Sequence, residues 1–150
     1  MSTKIDRYHV PLLVYSPMIK RPSSFRSVSS HLDIAPTLTK FLAKNYQLNM
    51  PNKVTWVGSG LDTVKQFRNI HRYPLKQTVT NLIDYVSGEY FLNDNTLFSL
   101  TDNFNIQPYD DESKRNQLIS EFNQYKSQNN QVINTLKLLP DSLYKSFKSK

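Results

Sequence analysis

The sequence predicts an α/β chain, or α+β when taken as an isolated piece: a βα unit, then a small antiparallel β meander, then a C-terminal helix. Three observations carry that expectation. "HVPLLVYSPM" is an almost unbroken apolar run, followed after a polar loop by "DIAPTLTKFL", whose apolar residues recur at helical spacing. "QTVTNLIDYVSGEYFLNDNTLFSLT" holds short β-branched and aromatic runs separated by turn signals. From Asp111 onward helical spacing returns. Residues 1–50 are expected to form the βα unit and 51–150 a small C-terminal subdomain.

Val10, Leu12, Leu13, Val14 and Tyr15 have almost no polar interruption, with Pro11 near the start and Pro17 just after. Such a run reads as a strand buried on both faces, and a proline near its first residue is tolerable. "IKRPSSFRSVSS" is a polar, basic loop. Asp33 reads as a helix N-cap, with Pro36 in the first turn where its missing N–H costs little. Ile34, Leu38, Phe41 and Leu42 make one apolar stripe, and the helix is expected to end near Asn45. The following stretch is mostly loop, with "VTWVGSGL" a possible short strand and turn. In the β region, turns fall at Ser87-Gly88 and at Asn93-Asp94-Asn95, with Leu92 and Leu97 flanking the second. That pattern predicts a hairpin or three-stranded meander. Leu118, Ile119, Phe122, Tyr125, Val132, Ile133 and Leu136 form the last helical stripe. Asp110, Asp111 and Glu112 precede it, as suits a helix N-terminus. Pro140 ends it, and "DSLYKSFKSK" is expected to be a frayed tail.

Composition narrows the function classes. The chain has 150 residues, 38% of them hydrophobic and 21% charged, which is enough for a domain with a core. Its 9 Tyr and 8 Phe argue against disorder, and its 3 Gly argue against a Gly-rich phosphate loop. The net charge of +7 permits nucleic acid, anionic lipid or an acidic polymer as a partner and proves none of them. No cysteine is present, so disulfides, thiolate catalysis and Cys-ligated zinc are excluded. No apolar run approaches about 18 residues, and the first ten residues have no signal-peptide core.

Residue by residue, no complete site emerges. His9, His31 and His71 are far apart in sequence and form no metal-ligand spacing. Asp33 could be a ligand or base, but a cap, contributing roughly 1 kcal/mol, suits its position before the stripe better. Thr37 has no neighbour that would activate it as a nucleophile. "GSG" at 58–60 is too short for a phosphate cradle and lacks the following Lys and helix. Lys20, Arg21 and Arg26 read as a solvated basic loop, and the aromatic strands as core rather than a stacking platform. The expected catalytic residues and metal ligands within this chain are therefore none.

The order "VPLLVYSP", polar loop, "SSHLDIAPTLTKFL" resembles the sulfatase branch of the alkaline phosphatase superfamily. The specific part is S-x-x-D-I-A-P-T-L, here Ser30, Asp33, Ile34, Ala35, Pro36, Thr37 and Leu38. Gly60, Leu61 and Asp62 are similar to that family's Gly-Leu-Asp segment. Leu97, Phe98 and Leu100 are similar to its closing LY-x-L hairpin, with Phe in place of Tyr. The details look closest to the phosphoglycerol transferase, or lipoteichoic-acid-synthase-like, branch. The resemblance implies that residues 1–50 come from the edge of an alkaline-phosphatase-like sheet, and that the D-I-A-P-T block is architectural. It implies a nucleophile, and Asp, Glu and His ligands for a divalent metal (Mn, Mg, Ca or Zn), upstream of this stretch. The parent would act on sulfate or phosphate esters, at the bacterial cytoplasmic membrane with its catalytic domain outside. His31 would lie at the substrate rim. The expected partners are the upstream catalytic portion and, for the isolated piece, a second copy; nucleic acid is not expected. The alternative is a stand-alone basic module for nucleic acid or an anionic polymer.

Overall fold

Gly88 and Asp94 both take left-handed backbone conformations, each with φ of 55°. They allow two tight turns to fold the aromatic run back on itself. The computed structural model of the chain describes residues 4–50, 54, 56–76, 78, 81–137 and 141–148. Around those turns lies one antiparallel sheet of β1 (Arg72–Lys76), β2 (Leu82–Ser87), β3 (Tyr90–Asn93), β4 (Thr96–Thr101) and β5 (Asn105–Pro108), in sequence order. Leu92 pairs with Leu97 and Phe91 with Phe98, so the second turn sets the register. Helix α1 (Ile34–Tyr46) precedes the sheet, and α2 (Glu112–Thr135) and α3 (Asp141–Lys148) follow it. The architecture is thus the α+β mix the sequence predicts.

Neighbouring side chains on a strand serve opposite faces, and both faces of this sheet are covered. On one face Val86, Phe91, Phe98 and Leu100 close over Ile5. On the other, Tyr85, Leu92 and Leu97 pack against Leu118 and Phe122 from the start of α2, with the Tyr85 and Phe122 rings stacked 5.3 Å apart. Two-sided burial explains why the strands read as nearly continuous apolar runs. Each fully buried large side chain contributes roughly 1.5–3 kcal/mol.

The chain packs as two units: Met1–Ser29 with Asp62–Phe122, and Ser30–Leu61 with Asn123–Lys150. The boundary expected at residue 50 falls inside the second. Differences from the sequence reading in the individual elements have physical reasons. The meander has five strands rather than two or three. The two added strands are the edges β1 and β5, and each carries a proline, Pro74 and Pro108, which argues against a strand when read from sequence. Part of the "QTVT" run, residues 77, 79 and 80, lies outside the described residues. Residues 10–15 form no strand; the segment is irregular, with Leu13 91% and Tyr15 95% exposed. A strand exists only as a pairing, and no described strand lies beside it. No strand forms among the described residues of "VTWVGSGL" either. The stripe on α2 is buried at Leu118 and Phe122, whereas Ile133 and Leu136 are exposed. Pro140 lies outside the described residues, and the tail expected to fray contains α3, with Lys137 paired to Asp141 at 2.6 Å.

Asp84, in the middle of β2, has no exposed surface. Its Oδ1 accepts from the Asn93 amide at 2.7 Å and its Oδ2 from the Tyr8 hydroxyl at 2.6 Å, with the Arg7 guanidinium 3.5 Å away. The carboxylate thereby clasps the N-terminal turn (Asp6–Tyr8) that carries Ile5 into the core. Burial, and then the hydrogen bond to Asp84, raise the Tyr8 phenol far above its ordinary value. Folding thus favours the neutral phenol, and this stabilisation is full below pH about 10 and is lost as pH rises above it. Tyr8→Phe should cost about 1 kcal/mol at neutral pH. The variant should also lose less melting temperature than the parent chain between pH about 9 and 11. Parallel pH–melting curves would contradict this assignment.

Candidate functional site

The strongest built feature in the second unit is the start of α1. Ser30 caps a short 3₁₀ turn (His31–Asp33) that runs directly into the helix, and its Oγ accepts from the Leu32 N–H at 3.0 Å. Asp33 answers by accepting from the Ser30 N–H at 2.9 Å, completing a capping box. Asp33 holds the N-cap position of α1 that the sequence predicts, but its side chain makes no cap bond into that helix and serves instead as the third-position partner of Ser30, which caps the 3₁₀ turn.

That difference changes what Asp33 does. Its carboxylate is fully buried, and Oδ1 accepts two further hydrogen bonds, from the Ser59 N–H at 3.0 Å and the Gly60 N–H at 3.1 Å. Thr37, one helical turn on, donates from Oγ1 to the Asp33 carbonyl at 2.8 Å and accepts from the Leu61 N–H at 2.7 Å. Lys40 adds a bond from Nζ to the Ser59 carbonyl at 2.9 Å. Three successive backbone N–H groups of the 59–61 loop are thus taken up by one helix start. Two of them, Ser59 and Gly60, converge on an anion that the protein itself supplies, the Asp33 carboxylate, and the third meets the Thr37 hydroxyl. Gly58 allows the approach, since a Cβ there would overlap the Leu32 carbonyl. Gly60, at φ of 124°, supplies a backbone conformation that L side chains rarely adopt.

The other candidate residues are not gathered here. His31 is exposed on the 3₁₀ turn, so it could meet a solvent-borne group. His9 stacks on Phe104 with centroids 4.8 Å apart, and His71 is buried against Tyr73 at 5.2 Å, both in the first unit. No three His, Asp or Glu converge among the described residues, which therefore do not fit a divalent-metal site. The hydroxyl of Thr37 is engaged with backbone on both sides, and the "GSG" N–H groups at 59 and 60 are already satisfied. Lys20 and Arg21 lie on an exposed loop, and Arg26 is exposed while its backbone N–H donates to the Lys65 carbonyl. A cleft of about 250 Å³ in the first unit is lined by Asn95, Leu97, Tyr109, Asp111 and Arg115 among others. Asp111 there is committed to the helix start, accepting from the Lys114 N–H at 2.8 Å.

Sequence reasoning missed two anchors. Asp62 accepts a two-pronged contact from Arg68, at 2.6 and 2.9 Å, and this guanidinium holds its carboxyl below the usual range. Ser27 donates to the Asp62 carbonyl, and the Asp62 N–H donates to Ser29, so the pair ties the 27–29 segment to the chain after residue 61. Asp84 was the other, and its signal was visible: a carboxylate inside the apolar run "LIDYV".

No protein family, curated protein or solved structure matches this chain in comparisons with known proteins.

Asp33→Ala removes a charged acceptor from three N–H groups, so it should cost about 2–4 kcal/mol rather than the roughly 1 kcal/mol of a simple cap. Trp56 is the only tryptophan, and its emission should report release of the 58–61 loop well below the global melting temperature in this variant. Asp33→Asn, which keeps an acceptor oxygen, should lose less. A loss at or below the simple-cap value, with unchanged Trp56 emission, would show that the loop does not depend on Asp33.

Proposed function

We propose that the chain is the C-terminal part of a metal-dependent, sulfatase-like hydrolase or phosphoglycerol transferase acting on sulfate or phosphate esters. The observation that carries this reading is the joining of two sequence blocks by Asp33. The Ser30-x-x-Asp33-Ile-Ala-Pro-Thr block and the Gly60-Leu61 segment resemble separate motifs of that family. Here the side chains of the first, Asp33 and Thr37, bind the backbone of the second. Motifs that match by chance have no reason to fit each other. The third block, the closing hairpin at Leu97, Phe98 and Leu100, lies in β4 ahead of α2, in the order the resemblance implies.

In this reading the present residues are architectural. Asp33 and Thr37 hold the 59–61 loop, the sheet and α2 form a closing subdomain, and His31 stands at the substrate rim. The nucleophile and the ligands for Mn, Mg, Ca or Zn reside in the upstream portion, which is also the principal partner. In such an enzyme the metal activates the nucleophile and stabilises developing negative charge. The parent would work on the outer side of the bacterial cytoplasmic membrane.

The test is activity of the full-length gene product against p-nitrophenyl sulfate and bis-p-nitrophenyl phosphate, with and without each metal. Metal-dependent turnover is expected from the full-length protein and none from residues 1–150 alone. Asp33→Ala in the full-length enzyme should lower activity only in step with its lost stability. A loss of about 10³-fold or more in kcat at unchanged melting temperature would make Asp33 catalytic and overturn its architectural role. Turnover by the isolated chain, or salt-sensitive binding to nucleic acid with no ester turnover by the full-length product, would overturn the reading as a whole.

A further inference from the structure

The loop from residue 9 to residue 26, in the first unit, is held at both ends. At one end Asp84 binds Tyr8, and the His9 ring stacks on Phe104. At the other, the Arg26 and Val28 N–H groups donate to the Lys65 and Arg68 carbonyls, at 3.3 and 2.8 Å. Between these anchors Leu13, Val14, Tyr15, Met18, Ile19 and Phe25 are 46% to 95% exposed. Ser16 closes a turn there, accepting from the Ile19 N–H at 3.0 Å through its carbonyl and from the Met18 N–H at 3.2 Å through Oγ. That turn sets Met18 and Ile19 directly ahead of Lys20 and Arg21. Charge on this part of the unit is one-sided. No acidic residue lies between Asp6 and Asp33 or between Asp62 and Asp84. Asp62 is itself buried and committed to Arg68. Lys20, Arg21, Arg26 and Lys65 are exposed, and among the described residues none of them pairs with a carboxylate.

We infer that this loop docks on the surface of an anionic lipid bilayer, with its apolar side chains in the headgroup–acyl boundary and Lys20, Arg21, Arg26 and Lys65 on the lipid phosphates. The inference goes beyond the proposed ester chemistry and does not depend on it. An exposed apolar patch rimmed by polar groups marks an interaction surface, and the sign of the rim selects the partner. A rim of cations with no facing carboxylate complements a negative surface, where each Lys or Arg strengthens attachment roughly five-fold. A second copy of this chain carries the same net charge of +7 and is repelled. Nucleic acid would satisfy the charge, but it rewards flat rings that stack on bases. Leu13, Val14, Met18 and Ile19 are not aromatic and offer no such face, whereas an acyl boundary accepts them. Tyr15 and Phe25 suit the same depth, since aromatic rings settle at headgroup level. An irregular segment cannot enter the hydrocarbon core, where its unpaired N–H and C=O groups would find no partner. The boundary is wet, so water and phosphates meet those groups, and Pro11, Pro17 and Pro22 have no N–H to satisfy.

Sedimentation of the 150-residue chain with vesicles tests this, comparing phosphatidylcholine alone with phosphatidylcholine carrying phosphatidylglycerol. Binding tighter by roughly 10-fold or more is expected on the anionic vesicles, and it should weaken as salt is raised. Ile19→Ser, and separately Lys20→Glu combined with Arg21→Glu, should each weaken it by about 5-fold or more. The melting temperatures of these variants should match the parent's, because the side chains changed are exposed. Lys145→Glu, in the basic tail, should change binding by less than about 2-fold. Equal binding to both kinds of vesicle, or undiminished binding by Ile19→Ser, would overturn the inference. A loss in Lys145→Glu as large as that from residues 20 and 21 would move the contact to the tail and overturn it too. So would salt-sensitive binding to single-stranded DNA that is tighter than binding to the vesicles. Ester turnover enters none of these measurements, so this inference and the enzymatic reading fail separately.

Discussion

Two carboxylates with no exposed surface hold this chain together, and the arrangement of its long loops depends on them. A buried charge is tolerated only where hydrogen bonds replace the water it has lost. Asp33 draws on Ser30, Ser59 and Gly60, and Asp84 on Tyr8 and Asn93 with Arg7 close by. In each case some donors come from a segment distant in sequence, 59–60 for Asp33 and Tyr8 for Asp84, so satisfying the charge fixes the path of a loop. A chain with no cysteine has no covalent staple for these connections. The acceptors do that work instead, and they hold a unique geometry better than apolar contact alone would, because a displaced donor leaves a buried charge unmet.

The parts of the fold legible in the sequence are those decided by neighbours. Gly88 and Asp94 announce their turns through local backbone preference, and the Leu92–Leu97 pair follows from the second turn directly. The helix from Ile34 shows in its stripe and in Pro36. What was illegible depends on distant partners. Tyr8 and Asp84 are joined across the chain, and nothing about either residue names the other. Asp33 illustrates a halfway case. Its place at a helix start was readable, but its bonds to the Ser59 and Gly60 N–H groups were not, because the loop's glycines look the same whether they serve a phosphate, a turn or a side chain. β1 and β5 lie outside the runs that alternate or cluster clearly, and each carries a proline, which a sheet tolerates at an edge.

Read by residue content alone, the 30–38 block has two explanations, a catalytic segment or a helix start. The geometry of Asp33 favours the second. Its carboxylate is turned into the protein and saturated by backbone donors, which leaves it little capacity to move a proton or bind a cation. The same holds for Thr37, whose hydroxyl is shared between the Asp33 carbonyl and the Leu61 N–H. Chemistry at an ester would need groups that face solvent, and in this block only His31 among the candidates does so.

The apolar stripe of α1 poses the same question as residues 10–15. Leu38, Phe41 and Leu42 recur on one helical face, a pattern whose physical meaning is burial, yet all three are exposed. Local pattern and environment usually agree in a folded chain, and disagreement marks a place where the sequence answers to something other than its own contacts. Single exposed apolar residues need no explanation, but here the conflict is ordered. On α1 it follows the period of a helix, and at residues 10–15 it fills both sides of an extended chain. The sheet core, where pattern and burial agree at Phe91, Leu92 and Leu118, shows what the same sequence does when its partners are present. On α1 and at residues 10–15 the apolar pattern thus exceeds what the contacts of the described residues satisfy, whereas in the sheet core the two agree.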